Sequence, residues 1–246
     1  MQDRSYKDIH NIFGNSQVAF MNHGFSPTSE DLSDVPFRHQ ASLYSEAVSK
    51  MDLSGKNILE IGCGRGGGSQ WISKNNNISS YHACDISEES IDFCKKNNEL
   101  ENVFYSVMDS QNLNYEENSF DLIICIESSH GYKNMELFFE NARRVLKETG
   151  QLVLLDNYVL GDIAVEKQLM SLESVKRSAQ GFSVLEYKDI TDNVKEACRQ
   201  DINLIDDWVE NVEISEMLKS ISAGSLKRYE NKKWGYFKFV FGTIEL

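Results

Sequence analysis

The chain has 246 residues, 41% of them apolar, with 25 Lys and Arg set against 38 Asp and Glu for a net charge of −13. That composition suits one or two globular domains with a core of ordinary size. It argues against nucleic acid as the main partner, because a polyanion lacks the phosphate-neutralising attraction that supplies most non-specific affinity. The amino terminus, MQDRSYKDIHNIFG, is too polar for a secretory leader, and no run approaches the ~20 apolar residues of a membrane span. A cytoplasmic location is therefore expected, with Cys63, Cys84, Cys94, Cys125 and Cys198 as buried reduced thiols, odd in number and without CxxC spacing.

Pro27 and Pro36 both precede residue 40, so the elements beyond them run largely uninterrupted. Phe37, Ala41, Tyr44, Ala47, Val48 and Met51 recur at helical spacing and predict an amphipathic helix over 36–51. The run NILEI, 57–61, reads as a strand entering the glycine-rich Gly62-Cys63-Gly64-Arg65-Gly66-Gly67-Gly68. Strand-like runs at 81–84, 103–107, 120–126 and 151–155 then alternate with helical stretches at 68–75, 87–98 and 134–147. Such alternation implies an α/β fold whose parallel sheet is covered on both faces. After Asp156 the pattern changes to a helix over 161–178, a strand over 182–187, a helix over 191–222 and a terminal strand over 232–246. No linker separates a second domain.

In an open α/β sheet the ligand sits beyond the carboxyl ends of the strands. Gly62, Gly64 and Gly66 follow the first strand, where missing side chains let the backbone approach a ligand. Asp85, with Ile86 beside it, ends the second strand, where a carboxylate can accept from both hydroxyls of a ribose. On glycines alone the choice stays open, because Gly62, Gly64 and Gly67 also satisfy GxGxxG and fit a nicotinamide dinucleotide. Two features favour S-adenosylmethionine. Glu60 places an acidic group near a ligand that carries a sulfonium and an ammonium, and strand three ends in Asp109 and Ser110, suited to an adenine amino group and ring nitrogen.

The segments ILEIGCGRGGG, ACD, MDSQNL and FDLIICIESSH together resemble the class I S-adenosylmethionine-dependent methyltransferases. That resemblance implies a Rossmann-like, seven-stranded, mostly parallel sheet with a reversed last strand, helices on both faces and helical lid insertions. KFVFGTIEL suits the reversed strand. A closer resemblance, carried by FMNHGF, LYSEAVSKMDLSGKNILEIGCGRGGGSQWI, FDLIICIESSHGYKNMELFFENARRVLKETG and YENKKWGYFKFVFG, is to the phthiotriol and phenolphthiotriol dimycocerosate methyltransferases and related natural-product tailoring enzymes. Those enzymes O-methylate hydroxyls of lipid or polyketide-like molecules. The departure from them lies at about 157–215, so the reaction type carries over better than the acceptor. The implied organisation is a single domain, with a lid and leading helix over 1–51, a cofactor core over 52–156, and cavity helices and closing strands over 157–246. The expected partner is a small-molecule or lipid-like acceptor, with a homodimer left open.

Methyl transfer to an alcohol needs in-line approach and removal of a proton. After strand four stands Glu127-Ser128-Ser129-His130-Gly131-Tyr132, in which His130, with an ordinary pKa of ~6.5, is the candidate base. The alternatives are that His130 orients the acceptor or bonds a neighbouring loop. Glu127 is read as part of the cofactor loop, as the family implies. The other reading joins it to Asp156 and Asn157 as Mg²⁺ ligands, as in some class I O-methyltransferases, but no metal is assigned. His10, His23, His39 and His82 are not grouped at ligand spacing. Asn22 and Phe25, within Met21–Phe25, resemble the family's N-terminal lid, and Tyr132 and Tyr158 are assigned to the substrate side. Arg38 is read either as reaching the methionyl carboxylate or as an exposed residue at the helix start. The apolar stripe of 191–222 is read as core, or as the roof of a greasy pocket. Two rival functions remain: C- or N-methylation, and a non-methylating protein that keeps the cofactor as structure.

Overall fold

The computed structural model describes residues 13–14, 16–27, 36–98, 100–160 and 171–244. Seven apolar runs form strands β1 (Asn57–Ile61), β2 (Ser80–Asp85), β3 (Val103–Val107), β4 (Phe120–Ile126), β5 (Leu146–Val159), β6 (Phe182–Asp189) and β7 (Trp234–Thr243). They lie in the order β3-β2-β1-β4-β5-β7-β6. The first five pair in parallel, and β7 runs antiparallel to both β5 and β6. The reversed last strand implied by the resemblance is thus present.

Among the described residues there are seven α-helices, α1 (Arg38–Ala47), α2 (Gly67–Asn75), α3 (Glu88–Asn97), α4 (Met135–Val145), α5 (Leu172–Ser178), α6 (Thr191–Trp208) and α7 (Val212–Glu230). Their ends follow local chemistry. Ser87, Asn134, Ser171 and Asn211 each accept a backbone N–H of the first turn of α3, α4, α5 and α7, satisfying a donor the helix leaves orphaned. None of these helices is long and apolar enough to cross a membrane.

Alternate strand residues feed two cores, so each strand reads as a nearly continuous apolar run. In β4, Leu122, Ile124 and Ile126 pack with Leu43 and Ala47 of α1, Ile72 of α2 and Val194 and Cys198 of α6. Ile123 and Cys125 pack on the opposite face with Phe138, Phe139 and Ala142 of α4 and Val175 of α5. A smaller cluster joins Phe13 and Val18 to Ile205, Val209 and Ile214, so the N-terminal segment rests on α6 and α7.

Several predicted boundaries move. The helix predicted over 36–51 spans only Arg38–Ala47, because Phe37 and Lys50 both take left-handed backbone angles, at φ 57° and 68°. The single helix predicted over 191–222 is two, divided where Val209 turns extended and Asn211 caps α7. Strand β5 outruns its predicted 151–155 because β7 pairs with it from Gln151 through Val159. Of the predicted helix 161–178, Leu172–Ser178 is helical, and 161–170 lies outside the described residues. The same is true of residues 1–12, 15 and 28–35 within the expected lid region.

Helix α2 meets α1 through a missing side chain. A Cβ on Gly68 would lie 1.9 Å from ring carbons of Tyr44, so only glycine lets that ring lie against the helix backbone. Gly68→Ala is expected to destabilise the protein by about 1–3 kcal/mol, the usual scale of overpacking a dense interior. Urea denaturation of the two proteins measures the difference, and equal midpoints would show that Tyr44 yields freely.

Candidate active site

A cavity of about 350 Å³ opens at the carboxyl ends of β1, β2, β3 and β4. That size lies within the range of small-molecule sites. Its floor is the loop after β1. Gly62 has φ 78°, and a Cβ there would sit 2.3 Å from that of Ser128, so the loop after β1 and the loop after β4 meet as bare backbone against a small side chain. Ser128 Oγ donates to the Ile61 carbonyl across the same junction at 3.0 Å. Gly64 also lines the cavity, and its amide donates to Asp85 Oδ2 at 2.8 Å while the Ser87 amide donates to Oδ1 at 2.9 Å. Burial raises the Asp85 carboxyl above its ordinary value, against these two amides. Ile86, Asp109 and Ser110 complete this side. Asp109 is itself held by the Gln111 amide, 2.8 Å from Oδ1.

The opposite end carries two histidine–carboxylate pairs. His130 Nδ1 lies 3.0 and 3.2 Å from the two oxygens of Asp156, whose Oδ2 also accepts from Ser129 Oγ at 2.6 Å and the His130 amide at 3.1 Å. The Asn157 amide donates to Asp156 Oδ1 at 2.8 Å. Burial alone would raise the Asp156 carboxyl, but His130 and these donors hold it below the ordinary carboxylate value. In return the charge of Asp156 lifts the imidazole of His130 to about 9, well above the ~6.5 expected from sequence.

The second pair was not foreseen. His23 gives its backbone amide to Glu127 Oε1 at 2.8 Å and sets Nδ1 2.7 Å from Oε2, while Nε2 lies 2.7 Å from Ser225 Oγ of α7. Tyr236 of β7 donates to Glu127 Oε1 at 2.9 Å. Burial would lower the imidazole of His23, but the Glu127 charge and hydrogen bond leave it raised. Glu127 itself takes φ 49°, an uncommon conformation for a non-glycine residue, consistent with its carboxylate being held from three directions. His23 lies more than a hundred residues from Glu127 in sequence. The only sequence signal was its place in FMNHGF beside Asn22.

Of the residues singled out from sequence, Asn22, Gly62, Gly64, Asp85, Ile86, Asp109, Ser110, Glu127, His130 and Tyr132 line the cavity. Tyr132 turns its hydroxyl toward Ser128 Oγ at 2.8 Å. Five others are placed elsewhere. Glu60 is buried beneath the loop, accepting from Tyr44 and Tyr81 hydroxyls at 2.7 and 3.1 Å, so the cavity is lined by Tyr44 and not by this carboxylate. Gly66 caps α2 and faces Cys94 and Tyr105. Arg38 reaches His39 Nε2 and Gln200 Oε1, both at 3.3 Å, binding α1 to α6. Phe25 is a core residue whose amide donates to the His39 carbonyl at 2.8 Å. Tyr158 is enclosed in the second core beside Phe237 and Phe239. Nearness in sequence to the strand ends did not set where these side chains point, since Phe25 and Tyr158 feed the two cores and Glu60 faces Tyr44 and Tyr81.

Burial pushes the Glu60 carboxyl from 4.5 up to about 7, against the two tyrosine donors. As pH rises through that window the unfolded chain releases its proton first, so the fold is fully favoured below about 4.5 and loses this contribution by about 7. Glu60→Gln removes the titration. Relative to the parent, the variant is expected to gain roughly 3–3.5 kcal/mol between acidic and mildly alkaline pH. Denaturant unfolding of both proteins at the two pH values tests this, and a pH-independent difference would contradict it.

Residues 59–154 match the family described as methyltransferase domain. Over 172 residues the chain is 28% identical to a phthiotriol/phenolphthiotriol dimycocerosates methyltransferase of Mycobacterium tuberculosis, a match that covers 68% of this chain and 64% of that one. A fatty-acid O-methyltransferase of Mycolicibacterium smegmatis is also 28% identical, over 178 residues, with the same two coverages. The chain thus spans less than two thirds of the length of these curated relatives. Among solved structures, the geranyl diphosphate C-methyltransferase of Streptomyces coelicolor A3(2), in complex with Mg²⁺, geranyl diphosphate and S-adenosyl-L-homocysteine, superposes with a TM-score of 0.73 at 14% identity, covering 99% of this chain and 100% of that one. Residues 59–154 are thus similar to the methyltransferase-domain family, and the chain shares the seven-stranded, Rossmann-like methyltransferase fold.

Proposed function

We propose that the protein is an S-adenosylmethionine-dependent methyltransferase that modifies a hydroxyl of a small, lipid-like or polyketide-like acceptor. The observation that carries this reading is one cavity with two chemically distinct ends. Gly62, Gly64 and Asp85 form one end, and the His130–Asp156 pair forms the other. The residues fit the cofactor: Gly64 has φ 51° and bare backbone toward the cavity, and Asp85 offers carboxylate lone pairs to a diol. When bound, S-adenosylmethionine supplies an electrophilic methyl group on a sulfonium. The chain's own residues do the rest. Asp85 and the loop amides hold the cofactor, Asp109 and Ser110 flank its base, and the cavity limits water.

His130 is the residue proposed to take the acceptor's proton. Asp156 fixes Nδ1 and stabilises the imidazolium that forms, while Nε2 has no hydrogen-bond partner among the described residues. A base must be neutral to accept, so the raised value of His130 means that the reactive fraction grows as pH rises toward about 9. C-methylation is the second reading. It draws on the Streptomyces coelicolor structure and on Glu127, a cavity carboxylate able to balance a carbocation. Incubation with carbon-13 methyl-labelled cofactor and native extract, followed by NMR of the labelled product, separates a methyl on oxygen from a methyl on carbon. The absence of any labelled product would favour the non-methylating reading.

Calorimetry with S-adenosylhomocysteine is expected to detect binding and with NAD none. Asp85→Ala is expected to weaken the S-adenosylhomocysteine complex by roughly 1.5–3 kcal/mol, the scale of a deleted charge-assisted hydrogen-bonding group. Unchanged affinity would remove Asp85 from the ribose.

For the base, His130→Ala is expected to lower kcat by about 10²- to 10⁴-fold with little change in S-adenosylhomocysteine affinity. The imidazole of His130 should titrate near 9 by NMR, and in Asp156→Asn it should fall toward the ordinary ~6.5. Turnover of His130→Ala close to the parent, or a titration that Asp156→Asn does not move, would overturn the assignment.

A further inference from the structure

Arg65 stands between Gly64 and Gly66 in the floor of the cavity, yet it is only 1% exposed. A buried guanidinium loses several kcal/mol of hydration unless its donors are met. Here they are met by the N-terminal segment. Nε donates to the Val18 carbonyl at 2.7 Å, and one terminal nitrogen donates to the carbonyls of Ser16 at 2.7 Å and Gly14 at 3.4 Å. The guanidinium plane lies 3.5 Å from the centre of the Phe93 ring and 5.6 Å from that of Phe13. The contact continues along the chain. The Gly67 amide donates to the Ala19 carbonyl at 3.2 Å, and a Cβ at Gly67 would lie 2.7 Å from the Phe20 ring.

On the far side of the cavity the same segment is tied down by His23 on Glu127. Between these two attachments Ala19, Phe20, Met21, Asn22 and His23 all line the cavity. The wall they form is therefore fastened at one end to the loop that would hold a ligand and at the other to the loop bearing His130. That wall covers one side of a ligand held against the glycine loop, so its two fastenings bear on how readily such a ligand leaves.

We propose that Arg65 is a positioning residue that fastens the segment of Gly14, Ser16 and Val18 to the glycine loop and so sets how long the cofactor or its demethylated product stays bound. The inference rests on the cofactor reading above. Arginine suits the role because its planar fork satisfies several backbone carbonyls at once, whereas lysine offers a single ammonium on a mobile stem. Arg65→Lys keeps the charge and loses the fork, so the closed wall weakens while Asp85 and the glycines remain untouched.

The test compares parent and Arg65→Lys by surface plasmon resonance with S-adenosylhomocysteine, together with hydrogen exchange of the parent with and without that ligand. The expected result is dissociation at least tenfold faster in Arg65→Lys with an association rate changed by less than threefold, and slower exchange of amides 16–23 of the parent when ligand is bound. A folded Arg65→Lys with the parental dissociation rate would overturn the proposal. Should that variant fail to fold, the parent's exchange decides alone: amides 16–23 that ignore the ligand overturn the proposal. Failure of the parent to bind S-adenosylhomocysteine at all would remove the cofactor reading and this inference with it, an outcome distinct from binding without retention.

Discussion

The buried carboxylate of Glu60 is the interaction around which the site is arranged. It lies in β1, on the face of the sheet that α1 covers, and accepts one hydroxyl from α1 and one from β2. Tyr44 reaches it only because Gly68 lets the ring pass against α2. Three elements thereby converge under the glycine loop, and the loop's shape follows from where they meet. A carboxylate in such a place is costly. Its return is geometric, since both oxygens point at fixed donors and cannot be exchanged for a methyl group without orphaning two buried hydroxyls.

Acidic residues recur at or near the carboxyl ends of the five parallel strands, Glu60, Asp85, Asp109, Glu127 and Asp156, and their surroundings give them different work. Glu60 and Asp85 are pushed upward by burial, and Asp156 is pulled downward by an adjacent imidazole. Glu127, just past β4, has its oxygens taken by His23 and Tyr236. The result is a polar seam that runs from the Asp85 end of the cavity to the His130 end, in which neighbouring carboxylates are compensated by hydroxyls, by backbone amides or by histidines. That division of partners allows a chain of net charge −13 to gather so many acids at one sheet edge.

The fold was largely legible because it rests on local signals. Alternating apolar runs and helical periods located β1 to β4 and α2 to α4, and GCGRGGG marked the turn beneath the cavity. The placement of Asp85, Asp109 and Ser110 at the cavity was legible for the same reason, each standing at or just past the end of a strand. What escaped depends on contacts between distant residues. Nothing near His23 announces Glu127, nothing near Arg65 announces the carbonyls of Gly14, Ser16 and Val18, and the value of His130 is set by Asp156 on another strand. Glu60, Phe25 and Tyr158 were assigned to the ligand because their segments are near it, but a side chain's direction depends on which core the strand or segment feeds. The break between α6 and α7 was missed because the apolar stripe continues across it.

The antiparallel β7 lies between β5 and β6 although it follows both in the chain. During synthesis β6 therefore has no neighbour to pair with in this sheet until some fifty residues later have been made, and its exposed Val184, Leu185 and Tyr187 wait beside an open edge. The same late strand carries Tyr236, one of the groups that hold Glu127 for His23. Segments from opposite ends of the chain are thus brought together at one carboxylate, a long-range closure of the kind that slows folding. The strand β7 thus completes the Glu127 end of the cavity, and a chain halted before it would keep the Arg65 fastening of the wall while lacking the Tyr236 hydroxyl that helps hold Glu127 for His23.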